Sequence, residues 1–325
     1  RVYPSKRVYA IRAGTQAAGQ PGKFARTKER VTLQVRVAAP PIIEVQTMTD
    51  PFFPSVGAIL SADIAVPEHE REVRFYSRVL STGENPLWRE EDLMNNRGMP
   101  IIGLGARTAD YDHLPLQWMP HIMVADVAVS VERAGDLGGS VLMHGKDDNG
   151  SSQWAVLLDP NGAAFGTIPF VPAEAPPPGN DAAPPDSEEP VGRIAWVDLT
   201  VSDASATRDF YRQVVDWSVK DVEMEDGGEM YADYAMLGES GNAAAGVCHA
   251  RGVNQDLPPV WMIYLPVGDL AESLRRVEGE GGTVIKAVEG KDGGYVYAAI
   301  RDPVGANLAL VPGPKRQWKA RQTDG

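Results

Sequence analysis

The stretch Val201-Ser202-Asp203-Ala204-Ser205-Ala206-Thr207-Arg208-Asp209-Phe210-Tyr211 reads as the end of a strand passing into a helix that carries a Phe-Tyr pair. That pair recurs upstream as Phe75-Tyr76, and the other landmarks around it recur with it. Trp261-Met262 repeats Trp118-Met119, Gly281-Gly282 repeats Gly138-Gly139, and Asp302-Pro303-Val304-Gly305 repeats Asp159-Pro160-Asn161-Gly162. Residues Ile194 to Pro312 thus retell Ile59 to Pro169 in order. The Phe-Tyr offset is 135 residues and the three later offsets are 143, so a loop before Gly246 is longer in the second copy. A period of this length is a duplicated domain rather than a solenoid unit.

The remaining composition agrees with two soluble domains. A chain of 325 residues with 43% apolar and 23% charged side chains is long enough to bury two cores. The lone Cys248 excludes a disulfide framework and a cysteine-rich metal site and suggests a reducing, cytoplasmic setting. A net charge of −13 argues against nucleic acid as a partner, and no apolar run is long enough for a bilayer span. Residues 1–50 are expected to be a basic, disordered N-terminal segment, in which Met48 offers an alternative start. Residues 51–170 and 191–313 are the two domains. Between them, 171–190 reads as a Pro-rich acidic linker, long enough to let the domains pack on each other, and 314–325 as a tail. A homodimer is compatible with this organisation.

Within each copy the periodicity gives strand, helix and strands, twice. Ala58 to Val66 alternates, with Ile64 and Val66 on one face and Ser61, Asp63 and Ala65 on the other. Glu68 to Leu80 reads as an amphipathic helix with Val73, Tyr76 and Leu80 on its apolar face. A second helix runs from Val127 to Leu137 and ends at Gly138-Gly139. The second copy places helices at Ala204 to Val215 and Leu270 to Gly279.

These marks resemble the vicinal oxygen chelate superfamily, which includes glyoxalase I, bleomycin-resistance proteins and extradiol dioxygenases. The tandem "hydroxylase-like" members are the nearest match, through Trp118-Met119-Pro120-His121. The resemblance implies an α+β fold of two glyoxalase-like domains, each built from two βαβββ units that curve into a mixed sheet with a cleft. It also implies a divalent metal, whose ligand positions fall at Ser61, Met119 and Gly166 in the first copy and at Trp196, Met262 and Ala309 in the second. A further position lies near Leu104 and Val247, with His249 in reach if the register differs. Met, Trp, Gly and Ala cannot supply the converging N or O donors such a metal needs. The metal is therefore expected to be absent, and no cofactor takes its place.

Other polar groups share those strand faces. Asp63 and Asp198 are equivalent, as are His121 and Tyr264, and the resemblance implies that the first strands of the two units meet beneath the cleft. Asp63–His121 and Asp198–Tyr264 are thus expected neighbours, either as an oriented general base or as a satisfied internal hydrogen bond. Trp118 and Trp261 are expected to pack or to wall the cleft, whereas His69, His113 and His144 read as surface. The expected function is metal-free binding of a small organic molecule. The alternatives are a lyase, isomerase or oxygenase working through Asp63 and His121 or a relocated metal, and a scaffold of degenerate domains.

Overall fold

The computed structural model describes residues 54–80, 101–172, 193–290 and 293–313. The N-terminal segment, most of the linker and the C-terminal tail lie outside the described residues. The first domain comprises β1 (Ile59–Val66), α1 (His69–Val79), β2 (Ile101–Ala106), β3 (Met119–Val124), α2 (Val127–Asp136), β4 (Ser140–Lys146), β5 (Ser152–Leu158) and β6 (Ala164–Pro169). The second comprises β7 (Trp196–Val201), α3 (Ala204–Val214), β8 (Ser218–Asp226), β9 (Glu229–Leu237), β10 (Ala243–His249), β11 (Trp261–Val267), α4 (Leu270–Gly279), β12 (Thr283–Glu289), β13 (Tyr295–Arg301) and β14 (Asn307–Pro312). No described helix is long and apolar enough to cross a membrane.

Among the described residues each domain is one mixed sheet with two α-helices on one face. The described strands of the first run β2-β1-β3-β6-β5-β4, and those of the second β12-β13-β14-β11-β7-β10-β9-β8. In both, the first strands of the two units pair antiparallel at the centre, β1 with β3 and β7 with β11. This is the α+β architecture of two tandem glyoxalase-like domains. The Val-x-Asp marks are helix starts: Asp126, Asp203 and Asp269 each accept a backbone N–H from the first turn of α2, α3 and α4. At the start of α1 the corresponding residue is Glu68, which makes no such cap.

The repeated landmarks turn out to be where the domains meet. Helix α1 packs on α4, and α2 on α3, so the helical faces lie together and the opposite sheet faces look outward. Tyr76 donates to Asp302 (2.7 Å) and accepts from Trp118 Nε1 (3.2 Å); Tyr211 donates to Asp159 (3.4 Å) and accepts from Trp261 Nε1 (2.9 Å). Each Asp-Pro-x-Gly turn thus receives the tyrosine of the other domain. The Gly-Gly pairs follow the same rule, since a Cβ at Gly282 would stand 3.0 Å from Phe75 and one at Gly139 3.2 Å from Phe210. Phe-Tyr, Trp, Gly-Gly and Asp-Pro therefore form one buried, pseudo-symmetric interface inside a core shared by both domains.

Candidate functional site

Strand alternation puts Ser61 and Asp63 of β1 on the face away from the helices, beside Met119 and His121 of β3. The register pairs Ser61 with His121 and Asp63 with Met119, and His121 in turn with Gly166 on β6. His121 Nδ1 lies 3.4 Å from Asp63 Oδ2 and 3.3 Å from Ser61 Oγ. All three side chains are buried. Burial raises the Asp63 carboxyl above its ordinary value, opposed by the His121 ring beside it. Asp63 Oδ1 finds no hydrogen-bond partner. Around this polar group stand Leu114, Met119, Val156 and Ala164, with Met143 and Trp154 at a half-exposed margin.

The second domain repeats the geometry with different chemistry. Asp198 pairs across β7 and β11 with Met262, and Tyr264 with Trp196. Asp198 accepts from Trp196 Nε1 and is hydrogen-bonded to Tyr264, yet burial pushes its carboxyl up to about 6. Tyr264 pairs with Ala309, as His121 does with Gly166. The structure thus brings together both pairs expected from the sequence.

Other expectations need correction. Trp118 and Trp261 do not wall a cleft: they precede Met119 and share the face of Leu199, respectively, which turns them toward the helices, and both are fully buried on Tyr76 and Tyr211. Leu104 and Val247 also face the core, because β1 pairs Asp63 with Gly103 and β7 pairs Asp198 with Gly246. Those glycines, with Gly105 and Cys248 two residues on, are the outward positions. Among the surface histidines, His113 is exposed, but His69 bonds the Leu104 carbonyl (3.0 Å) and His144 bonds Ser152 (2.8 Å). His249 is tied to Asp233 at 3.0 Å.

The residues do not fit the family's metal. Of its three carried-over positions in the first domain, Ser61 is engaged with His121, Met119 offers a thioether, and Gly166 has the His121 ring laid over it. A Cβ there would meet His121 Cδ2 at 2.2 Å, in the space a ligating carboxylate would need. In the second domain Trp196, Met262 and Ala309 offer no ligand. Among the described residues no three His, Cys, Asp or Glu stand together as a metal site.

One residue escaped the sequence reading. Glu72 of α1 is fully buried at the domain interface, its carboxyl oxygens without a donor, against Asp302. Burial, then the charge of Asp302, pushes it up to about 8. The signal was an acidic residue one helical turn before Phe75 and Tyr76, on the face those residues bury.

Comparison with known proteins matches residues 193–310 to the Glyoxalase/Bleomycin resistance protein/Dioxygenase superfamily and residues 61–168 to the Glyoxalase-like domain. A protein named "Putative glyoxylase CFP32" of Mycobacterium tuberculosis is 33% identical over 128 residues, 39% of this chain and 48% of that one. The matched region thus spans about half the length of that relative. "Anthracycline biosynthesis protein DnrV" of Streptomyces peucetius is 25% identical over 213 residues, 62% of this chain and 68% of that one. Among solved structures, a variant of 4-hydroxymandelate synthase from Streptomyces coelicolor is 14% identical with a TM-score of 0.46, covering 82% of this chain and 94% of that one.

Proposed function

This chain belongs, through both of its domains, to the glyoxalase/bleomycin resistance/dioxygenase (vicinal oxygen chelate) superfamily, and from that premise we propose that it binds a small organic molecule on the outward face of the first domain without a divalent metal. The observation that carries this reading is the His121 ring lying over Gly166 and against Asp63. It supports the reading because a hydrogen-bonding side chain fills the position that the resemblance gives to a metal ligand. Small-molecule sites are mostly apolar with a few placed polar groups. Leu114, Met119, Val156, Met143 and Trp154 supply the first, and Ser61, Asp63 and His121 the second. The relative named for anthracycline biosynthesis supports an organic ligand.

The same pair supports a second reading, proton transfer. An Asp held against an imidazole nitrogen orients the ring, which can then accept a proton from a bound substrate and return it elsewhere, as an isomerase or lyase requires. A ligand-observed NMR screen of aromatic and carbonyl compounds against the full chain tests the binding reading. Hits should weaken about tenfold or more in Asp63→Asn and His121→Ala. Unchanged binding in both folded variants would leave the pair structural. Turnover of a hit, lost in the same variants, would select the second reading.

A further inference from the structure

The outward face of the second domain gathers polar groups that the first-domain site leaves unused. Asp198 on β7, Cys248 on β10, Tyr264 on β11 and Tyr297 on β13 converge. Asp198 is hydrogen-bonded to Trp196 and Tyr264, and burial, followed by the charge of Asp198, raises the Tyr297 hydroxyl and the Cys248 thiol. The Tyr264 and Tyr297 rings stand 6.2 Å apart. Tyr297 is 2% exposed, and its hydroxyl has no partner. A second carboxylate, Asp233 on β9, is buried, where Asp198 is half-buried. It accepts from the His249 N–H (2.8 Å) and faces its ring, yet its Oδ2 remains without a partner. The charge acting on Asp198 is that of Asp233, of the same sign.

A cavity of about 220 Å³ opens at the margin of this face, lined by Gln255, Asp256, Leu257, Ile285 and Lys286. Leu257 and Ile285 pack onto Met262, Ala299 and Tyr264 at its foot. The Lys286 amine, the one cation on that lining, is held by the Val253 carbonyl. Asp198 meets only the neutral donors Trp196 and Tyr264, whereas Asp233 faces the His249 ring, so Asp198 favours a positive guest, since a carboxylate held away from water without a counter-charge is costly. Aromatic faces add to the attraction of an ammonium group. A metal ion would need more donors than converge here.

We propose that the cleft of the second domain binds an organic cation, an ammonium group on an apolar body, with Asp198 as its counter-charge, Trp196 and Tyr264 as aromatic walls and the Tyr297 hydroxyl as a polar contact. The two clefts then differ in ligand class. The first-domain reading stands separately, because its test uses Asp63 and His121 alone.

The test is a titration of the full chain with 2-phenylethylammonium, 2-phenylethanol and phenylacetate, followed by saturation-transfer NMR. The ammonium probe should bind about tenfold more tightly than the alcohol, with phenylacetate weakest. That preference should vanish in Asp198→Asn. Should Asp198→Asn fail to fold, Tyr297→Phe decides, because it removes only a hydroxyl without a partner and should weaken the ammonium probe several-fold. No saturable binding of the ammonium probe, equal affinity for ammonium and alcohol, preference for phenylacetate, or a preference unchanged in the folded variants would each overturn the proposal.

Discussion

A Cβ added at Gly166 would stand 2.2 Å from His121 Cδ2, and one at Gly246 2.1 Å from Asp198 Oδ1, so two glycines make room for the polar side chains on the outward faces of the two sheets. Gly166→Ala should therefore turn His121 away from Asp63 and abolish first-cleft binding, at a cost of about 1–3 kcal/mol in stability. Paired binding and melting measurements check this; retained affinity would show that the ring position is immaterial. Glu72 gives a prediction of a different kind. Its ordinary value is 4.5 and its value in the folded chain about 8, so the folded state binds more protons between those limits. Stability should fall as pH rises from about 4.5 to 8 and level off above. Glu72→Gln should remove that slope, gaining on the order of 3 kcal/mol at pH 9 relative to pH 5. Denaturant unfolding at the two pH values reads it directly, and an unchanged slope in the variant would refute the assignment. At the equivalent place in the other half, Asn161 donates to Thr207 at 3.0 Å, a neutral pair with no such slope.

Elements were legible wherever period and punctuation agreed. The described α-helices fall where apolar periodicity puts them, with Asp starts at α2, α3 and α4 and Gly-Gly ends at α2 and α4, and the alternation of β1 correctly separated Ile64 and Val66 from Ser61 and Asp63. The same alternation should have set Trp118 and Trp261 on the core side; a large aromatic beside a cleft strand reads equally well as wall or packing until its partner is known. The parallel pairing of β1 with β2 and of β7 with β10 could not be registered from sequence, because a one-residue shift exchanges Leu104 for Gly103 and Val247 for Gly246. The partner helices of α1 and α2 were also hidden, since Phe75-Tyr76 looks like core in either domain. The structure assigns them to the interface, which yields a prediction for these elements. Tyr76→Phe leaves Trp118 Nε1 without its acceptor and takes a donor from buried Asp302, and should cost about 1–3 kcal/mol. A double-mutant cycle with Asp302→Asn should show strong coupling between residues of different domains. Additive effects would mean that the two contribute independently.

For the molecule as a whole, duplication kept the interface twice and left the outward sheet faces free to diverge. The residues shared by both copies dock the helical faces, whereas His121 faces Asp63 in one domain and Tyr264 faces Asp198 in the other. Organisation was visible in the sequence because landmark order survives when side-chain chemistry changes. Ligand identity was not, because it depends on what Asp63, His121 and their neighbours meet in space. The central claim, which is our proposal, is that the outward face of the first domain binds its ligand through side chains at the positions that the superfamily resemblance gives to metal ligands. Elemental analysis of the full chain, produced in metal-replete medium and dialysed, tests this most directly. The account predicts far less than one equivalent of Zn, Ni, Fe or Mn per chain; one equivalent of any of them, lost in His121→Ala, would contradict it.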